Sequence, residues 1–233
     1  IFKDGSVVIP GNVTYKLDYK AVLVQSLING LPVENNRQNL IGKTLLGATS
    51  GVKAQVTDTI SAAESEKDTI TLYVKYTGGG TIQADGTQIS EFLDNEVLIE
   101  LDTNEAVAIT TVENASAYTG SVAYLNAGVY FIRGFFVEVA TQRILLEQYS
   151  NKPSYKVGLQ VTESIITSEE DETLFDNSLG TTNYASPGAD RLKIDATLTK
   201  QDIFISETAD FIELLRLEEG ELTEIVENSI YNE

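Results

Sequence analysis

No histidine, cysteine, methionine or tryptophan occurs anywhere in this 233-residue chain. Without imidazole there is no histidine general base, and without thiol there is no cysteine nucleophile, no disulfide and no thiolate metal site. Cations are also scarce: 16 Lys and Arg stand against 35 Asp and Glu, a net charge of −19 with a pI near 4.3. The shortage is local. Residues 1–77 hold eight basic and seven acidic side chains, whereas residues 78–233 hold eight and 28. A surface this negative repels phosphate backbones and anionic lipid, which reads against nucleic acid and membrane as partners. Long apolar runs are missing too. The longest charge-free stretch, Asn114 to Ile132, is broken by Ser, Thr, Asn and Gly, unlike the run of about 20 apolar residues that a spanning helix needs. No basic-then-apolar leader opens the chain. It starts at Ile1 and has no methionine, so the expectation is a processed product or the ordered part of something longer.

What is present is period two. Val13, Tyr15, Leu17 and Tyr19 alternate with Thr14, Lys16, Asp18 and Lys20, the pattern of a half-buried strand. Ile70 to Tyr76, Val157 to Thr162 and Leu192 to Thr199 alternate in the same way. Val129 to Val139 is apolar on both faces apart from Arg133 and Glu138, which suits a central strand covered on both sides. Turn signals punctuate these runs at Asp4-Gly5, Pro10-Gly11-Asn12, Gly78-Gly79-Gly80, Asp85-Gly86 and Pro187-Gly188. The expected class is mainly β, with antiparallel sheets as sandwich-like or barrel-like units and one or two short helices. Ser168 to Leu179 is the candidate helix, capped by Ser168 with Glu169, Glu170 and Asp171 in its first turn. The last segment fits either one helical face or a hairpin turning at Glu218-Glu219-Gly220. Gly220 in mid-segment costs a helix roughly 1 kcal/mol, which favours the hairpin. The expected organisation is a small β domain over 21–114, a candidate insertion in a main β domain made of 1–20 and 115–206. A C-terminal hairpin or helix over 207–233 would lead into a missing continuation.

Motifs that would carry chemistry fail on their own terms. Gly42-Lys43-Thr44 has Arg37 where a phosphate loop needs glycine, and Gly47 and Gly51 interrupt any following helix. Ser50 and Lys53 have the Ser-x-x-Lys spacing of some acyl-transfer nucleophiles but lie among glycines. Arg133 to Val137 has Phe136 where an RNA-stacking strand needs Gly or Ala. Asp102-Thr103-Asn104 begins a calcium loop that fails at Ala106. Glu169 to Glu172 could meet a hard cation or water equally. Tyr118, Tyr124 and Tyr130 fall six residues apart, a spacing that fits an interface or ordinary sheet packing. No catalytic, cofactor-binding or metal-binding residue is assigned, and the chain is not read as an enzyme.

One block carries a resemblance. Gly128 to Leu198 contains Gly128-Val129-Tyr130-Phe131-Ile132-Arg133-Gly134, Tyr149-Ser150-Asn151-Lys152-Pro153-Ser154-Tyr155, Leu174-Phe175-Asp176-Asn177 and Asn183-Tyr184-Ala185-Ser186-Pro187-Gly188-Ala189-Asp190-Arg191-Leu192. Phe211 to Arg216 extends it, and Phe2 to Gly5 fits its start. This block resembles a domain family of unknown function found in virion structural proteins of tailed bacteriophages, notably marine cyanophages. The resemblance implies a tail, baseplate or fibre-attachment protein, located in the virion tail and acting as an assembly scaffold. Its partners would be copies of itself, in a cyclic homo-oligomer such as a trimer, and other tail proteins. Edge strands are the natural joints. The alternative is a host-surface or polysaccharide-binding β module, with contacts on the loops Gly78–Asp85 and Glu91–Glu96.

Overall fold

The computed structural model describes residues 4–9, 11–177, 179–180, 182, 184–206 and 208–226. The fold is mainly β, built of antiparallel sheets of which, among the described residues, none closes into a barrel. In chain order the strands are β1 (Ser6–Ile9), β2 (Val13–Val24), β3 (Leu27–Ile28), β4 (Leu31–Pro32), β5 (Thr44–Gly47), β6 (Val52–Ile60), β7 (Ile70–Gly79), β8 (Val97–Glu100) and β9 (Glu105–Ile109). They continue with β10 (Tyr118–Leu125), β11 (Gly128–Ile132), β12 (Phe135–Val139), β13 (Gln142–Glu147), β14 (Tyr155–Ile166), β15 (Arg191–Asp202), β16 (Phe211–Glu218) and β17 (Glu221–Ile225). Two compact units result. One comprises the described residues of Ile1–Thr14, Ala123–Ile144 and Ser154–Glu233, the other Tyr15–Val122 with Leu145–Pro153. The segment 21–114 falls wholly inside the second. Phe2, Lys3, Pro10, Asn183 and residues 227–233, all named in the sequence analysis, lie outside the described residues.

The second unit is organised by an eight-stranded sheet in the order β13-β10-β2-β7-β6-β5-β8-β9. Strand β2 shows the expected alternation at its start, with Thr14, Lys16 and Asp18 exposed between less exposed neighbours. Central β7 is buried on both faces from Ile70 to Val74. Its second face is polar by sequence but satisfied in place. Tyr73 Oη donates to the Gln148 carbonyl at 3.0 Å, and Thr71 Oγ1 lies 2.7 Å from Tyr149 Oη. The core gathers Val22, Val24, Leu45, Val56, Leu72 and Leu98 among others; full burial of such side chains contributes about 1.5–3 kcal/mol each. One element was not expected. Val33–Leu40 forms a 3-10 stretch that buries Val33, Arg37 and Leu40. Arg37 is held there by the Thr59 carbonyl and hydroxyl at 3.1 and 2.7 Å and by Glu34 at 2.8 Å.

In the first unit, β1-β11-β12 form a three-stranded sheet and β15-β14-β16-β17 a four-stranded one. The single covered strand expected over Val129–Val139 is instead the β11–β12 hairpin. Its turn is Arg133-Gly134, both at positive φ (50° and 90°), the conformation that a two-residue hairpin needs and that glycine accepts without cost. The helix expected over Ser168–Leu179 is reduced to a 3-10 turn, Glu172–Leu174. Asp171 rather than Ser168 caps it, accepting from the Thr173 N–H at 3.0 Å. A cap and an acidic first turn were present, but no buried apolar face follows to stabilise more than one turn. The C-terminal hairpin forms as preferred, β16 turning at Glu219-Gly220 into β17.

Candidate functional site

The residues singled out in the sequence are not brought together. Ser50 is buried, whereas Lys53 is exposed on β6. Gly42 sits at φ +85° in a turn before β5. Among the described residues, no group of three or more Asp and Glu could hold a metal ion, and Asp171 of the acidic run is engaged by Thr173 and Arg191. Hydrogen bonds from Thr173 hold the Asp171 carboxyl below its ordinary range, with Arg191 adding to this. Tyr130 belongs to the core, its hydroxyl donating to the Gly11 carbonyl at 3.1 Å. Burial pushes its phenol upward. Tyr118 meets Tyr149 edge-on at 5.5 Å, with the Lys67 ammonium 4.1 Å from its ring centre.

Of the two candidate contact loops, Gly78–Asp85 is exposed apart from half-buried Gly80, whereas Glu91–Glu96 is pinned from inside. Phe92 is buried edge-on to Tyr76 at 5.4 Å. Glu96, only 2% exposed, turns inward. Its Oε1 accepts the N–H groups of Thr49, at 2.7 Å, and of Ser50; its Oε2 accepts from Leu93 at 2.9 Å. Its own N–H donates to Thr110 Oγ1 at 2.6 Å. The segment is an internal clasp, and nothing local in the sequence marks it, because Thr49 and Ser50 lie more than 40 residues away.

A second arrangement of charge lies in the same unit, at the β8–β9 end. Lys43 Nζ stands 2.6 Å from Glu100 Oε1. The hydrogen bond from Lys43 holds the Glu100 carboxyl below its ordinary 4.5, and the same bond raises Lys43 above 10.5. The Glu100 contribution is therefore complete above pH 4.5 and is lost as pH falls through its depressed folded value. The Lys43 contribution is complete below pH 10.5 and is lost as pH rises through its raised value. Lys43→Gln is expected to lower the melting temperature at neutral pH. That deficit should close as pH drops below 4.5, read by circular dichroism at a series of pH values; a deficit independent of pH would contradict the pair's role.

In the first unit, a cleft of about 330 Å³ is lined by Asp4, Arg133, Lys156, Phe211, Glu213 and Arg216 among others. Three of the eight cations found after residue 77 meet here, each answered by carboxylates. Arg133 pairs with Glu163 at 2.7 Å and with Asp210, while its backbone N–H donates to Asp4 at 2.6 Å. Arg216 grips Glu213 with two bonds at 2.9 and 3.0 Å. Buried Lys156 donates to the Ile205 carbonyl at 3.1 Å and stands 4.0 Å from Glu213. The bond to Glu163 raises the Arg133 pKa, and the bond to Glu213 raises that of Arg216. Chemically this is a clamp: Arg133, at the tip of the β11–β12 hairpin, ties that tip to the N-terminal segment, to β14 and to the 203–210 loop.

Beyond the clamp, β12 presents Phe135 and Phe136 to solvent at 52% and 59% exposure. Strand β12 is an edge of its sheet, and β15 and β17 are the two edges of theirs. Phe204, Leu222 and Ile225 are also exposed. Among the described residues, no helix is long and apolar enough to cross a membrane.

A family model described as "Domain of unknown function" (DUF4815) matches residues 94–232. The match opens three residues before β8 and contains the Gly128–Leu198 block, the clamp apart from Asp4, and the β14–β17 sheet. No curated protein and no solved structure matches the chain.

Proposed function

The chain belongs to the DUF4815 family, and we propose that it is a structural protein of a tailed-bacteriophage virion, an assembly scaffold of the tail, baseplate or fibre-attachment region. The observation that carries this reading is the pair of exposed phenylalanines on the edge strand β12 of the first unit. Strand β12 holds two exposed phenylalanines, and β17 is exposed along its length. Natural sheets blunt their edges with charged side chains, proline or a covering segment; β17 carries Glu221 and Glu224, whereas β12 carries two exposed phenylalanines beside the one charge of Glu138. Large exposed apolar side chains at an edge favour coverage by another chain. The Arg133 clamp supports the same reading, since it holds the β12 hairpin rigid where a partner would meet it. Partners are copies of this chain, in a cyclic homo-oligomer such as a trimer, and other tail proteins.

The test has two parts. Purified protein is examined by analytical ultracentrifugation, where a discrete oligomer of the 25.4 kDa chain is expected. Purified particles are then examined by mass spectrometry and immunogold labelling, where the protein is expected at the tail. A monomer that is also absent from particles would overturn the proposal. A second reading is favoured by the cleft, whose paired carboxylates and guanidinium groups beside the Phe211 ring suit sugar hydroxyls. Binding on a glycan array, with and without chelator, would support a polysaccharide-binding module instead.

A further inference from the structure

The chain contains three Asx-Gly steps: Asp4-Gly5, Asn29-Gly30 and Asp85-Gly86. Each sets a side-chain carbonyl carbon beside a backbone N–H that no side chain shields. The structure pins two of the three. The Asp4 carboxylate accepts the Arg133 N–H at 2.6 Å. The Asp85 carboxylate accepts the Thr87 N–H at 2.9 Å and the Thr87 hydroxyl at 2.6 Å, bonds that hold its carboxyl below the ordinary range and so ionised. An ionised carboxylate resists attack by a nucleophile. Asn29 carries a neutral carboxamide instead, and both it and Gly30 are exposed. Among the described residues, neither the carboxamide nor the Gly30 N–H makes a hydrogen bond. A Cβ on Gly30 would meet nothing within 4 Å, so the turn stands in open space. Its hold is also short. Strands β3 and β4 pair only through Leu27↔Pro32 and Ile28↔Leu31, and Pro32 has no N–H to give. The Val33 N–H closes the base on the Ser26 carbonyl at 2.9 Å. A two-stranded ribbon is marginal by itself, so this turn opens locally while the unit stays folded.

We propose that Asn29 is a modification site, at which the folded chain converts its own asparagine to isoaspartate and aspartate. The Gly30 nitrogen attacks Asn29 Cγ. The bond from Gly30 N to Cγ forms, the Cγ–Nδ2 bond breaks, and ammonia leaves with the Gly30 proton, giving a five-membered succinimide. Water then opens the ring. Attack at Cγ gives aspartate, and attack at the Asn29 backbone carbonyl carbon gives isoaspartate, in which the main chain runs through Cγ. Either product adds a negative charge to a chain already at −19. Isoaspartate also lengthens the backbone of a turn whose two residues sit at φ 49° and 79°. The two-residue hairpin geometry is then lost, and with it the closure of Val33 on Ser26. Asn29 lines a cavity of about 420 Å³ with Ile28, Leu31, Val33, Lys43 and Glu100 among others, so conversion reshapes that wall. The site depends on nothing in the assembly reading.

The test ages the folded chain in mildly alkaline buffer, which favours loss of the Gly30 proton, and maps its peptides by mass spectrometry. Asn29 is expected to lose its amide about tenfold faster than any other asparagine, equivalent to about 1.4 kcal/mol of barrier. The aged protein is expected to accept methyl groups from S-adenosylmethionine through isoaspartate methyltransferase, and to focus as a second, more acidic band. Amide exchange in that band should show loss of protection at Val33. Asn29→Gly keeps a turn that accepts positive φ and removes the carboxamide, so it is expected to give neither the methyl acceptance nor the acidic band. An Asn29 that keeps its amide in the folded chain, whether or not urea releases it, would overturn the proposal. So would another asparagine that reacts first. Methyl acceptance that persists in Asn29→Gly would place the isoaspartate elsewhere and overturn it as well.

Discussion

Glu96→Leu is expected to cost the second unit about 3 kcal/mol, the upper end of the cost of leaving a buried donor unsatisfied. The glutamate is buried, and its carboxylate is the acceptor for three backbone N–H groups, those of Thr49, Ser50 and Leu93. Leucine fills the volume and satisfies none of them. An orphaned buried donor costs about 1–3 kcal/mol, which applies in full to the Ser50 N–H; the Thr49 and Leu93 N–H groups are only part-buried and lose less, because water reaches them. Glu96→Gln separates charge from hydrogen bonding. Its carbonyl can still accept from Thr49 and Ser50, but its amide would point a donor at the Leu93 N–H, costing about 1–3 kcal/mol. Urea unfolding followed by far-ultraviolet circular dichroism should therefore rank wild type above Glu96→Gln and that above Glu96→Leu. Amide exchange should show loss of protection at Thr49, Ser50 and Leu93 first. A Glu96→Leu variant within 0.5 kcal/mol of wild type, an ordinary surface-substitution effect, would mean that the clasp is decorative.

That clasp also marks where the sequence stops being readable. Strands β2, β14 and β15 were legible because alternation is a local property and their lengths exceed several periods. The β16–β17 hairpin was legible because Glu219-Gly220 splits a run that would otherwise pass as a helix. The same chemistry was passed over at Arg133-Gly134, where apolar residues on both sides disguised a two-residue turn as mid-strand. It was passed over again at Asn29-Gly30, which joins β3 to β4 at φ 49° and 79°. The 3-10 stretch Val33–Leu40 carried a signal in the spacing of Val33, Arg37 and Leu40, but it needed a buried arginine at the middle position. An arginine is buried only when acceptors wait for it, and Thr59 is 22 residues away.

The candidate site was less legible than the fold for the same reason. In a chain with 35 carboxylates, Glu96 has no sequence feature to separate it from its less buried neighbours Glu91 and Asp94. Arg133 meets Asp4, Glu163 and Asp210 from three distant segments. Phe135 and Phe136 were read as core because aromatic residues in a strand usually are; the turn before them decides otherwise.

Gly158 supplies the sharpest test of how the edge is held. A strand propensity scale rates glycine poorly and valine highly, so Gly158→Val in the middle of β14 reads as a stabilising change. The packing argues the opposite. A Cβ at this position would stand 2.2 Å from the Ile212 carbonyl oxygen and 2.8 Å from the Phe211 ring, and the β14–β16 register shifts here to let the backbones close. The first of these neighbours is backbone and cannot rotate away, so β16 must move. Overpacking of this kind costs about 3 kcal/mol, and Gly158→Ala should cost nearly as much, because the first carbon is the one that collides. The effect is expected to be confined to the β16–β17 hairpin. Amide exchange should accelerate across Phe211–Ile225 while β7 and β6 keep their protection. A Gly158→Val chain that melts at or above the wild-type temperature would refute the close-approach argument outright.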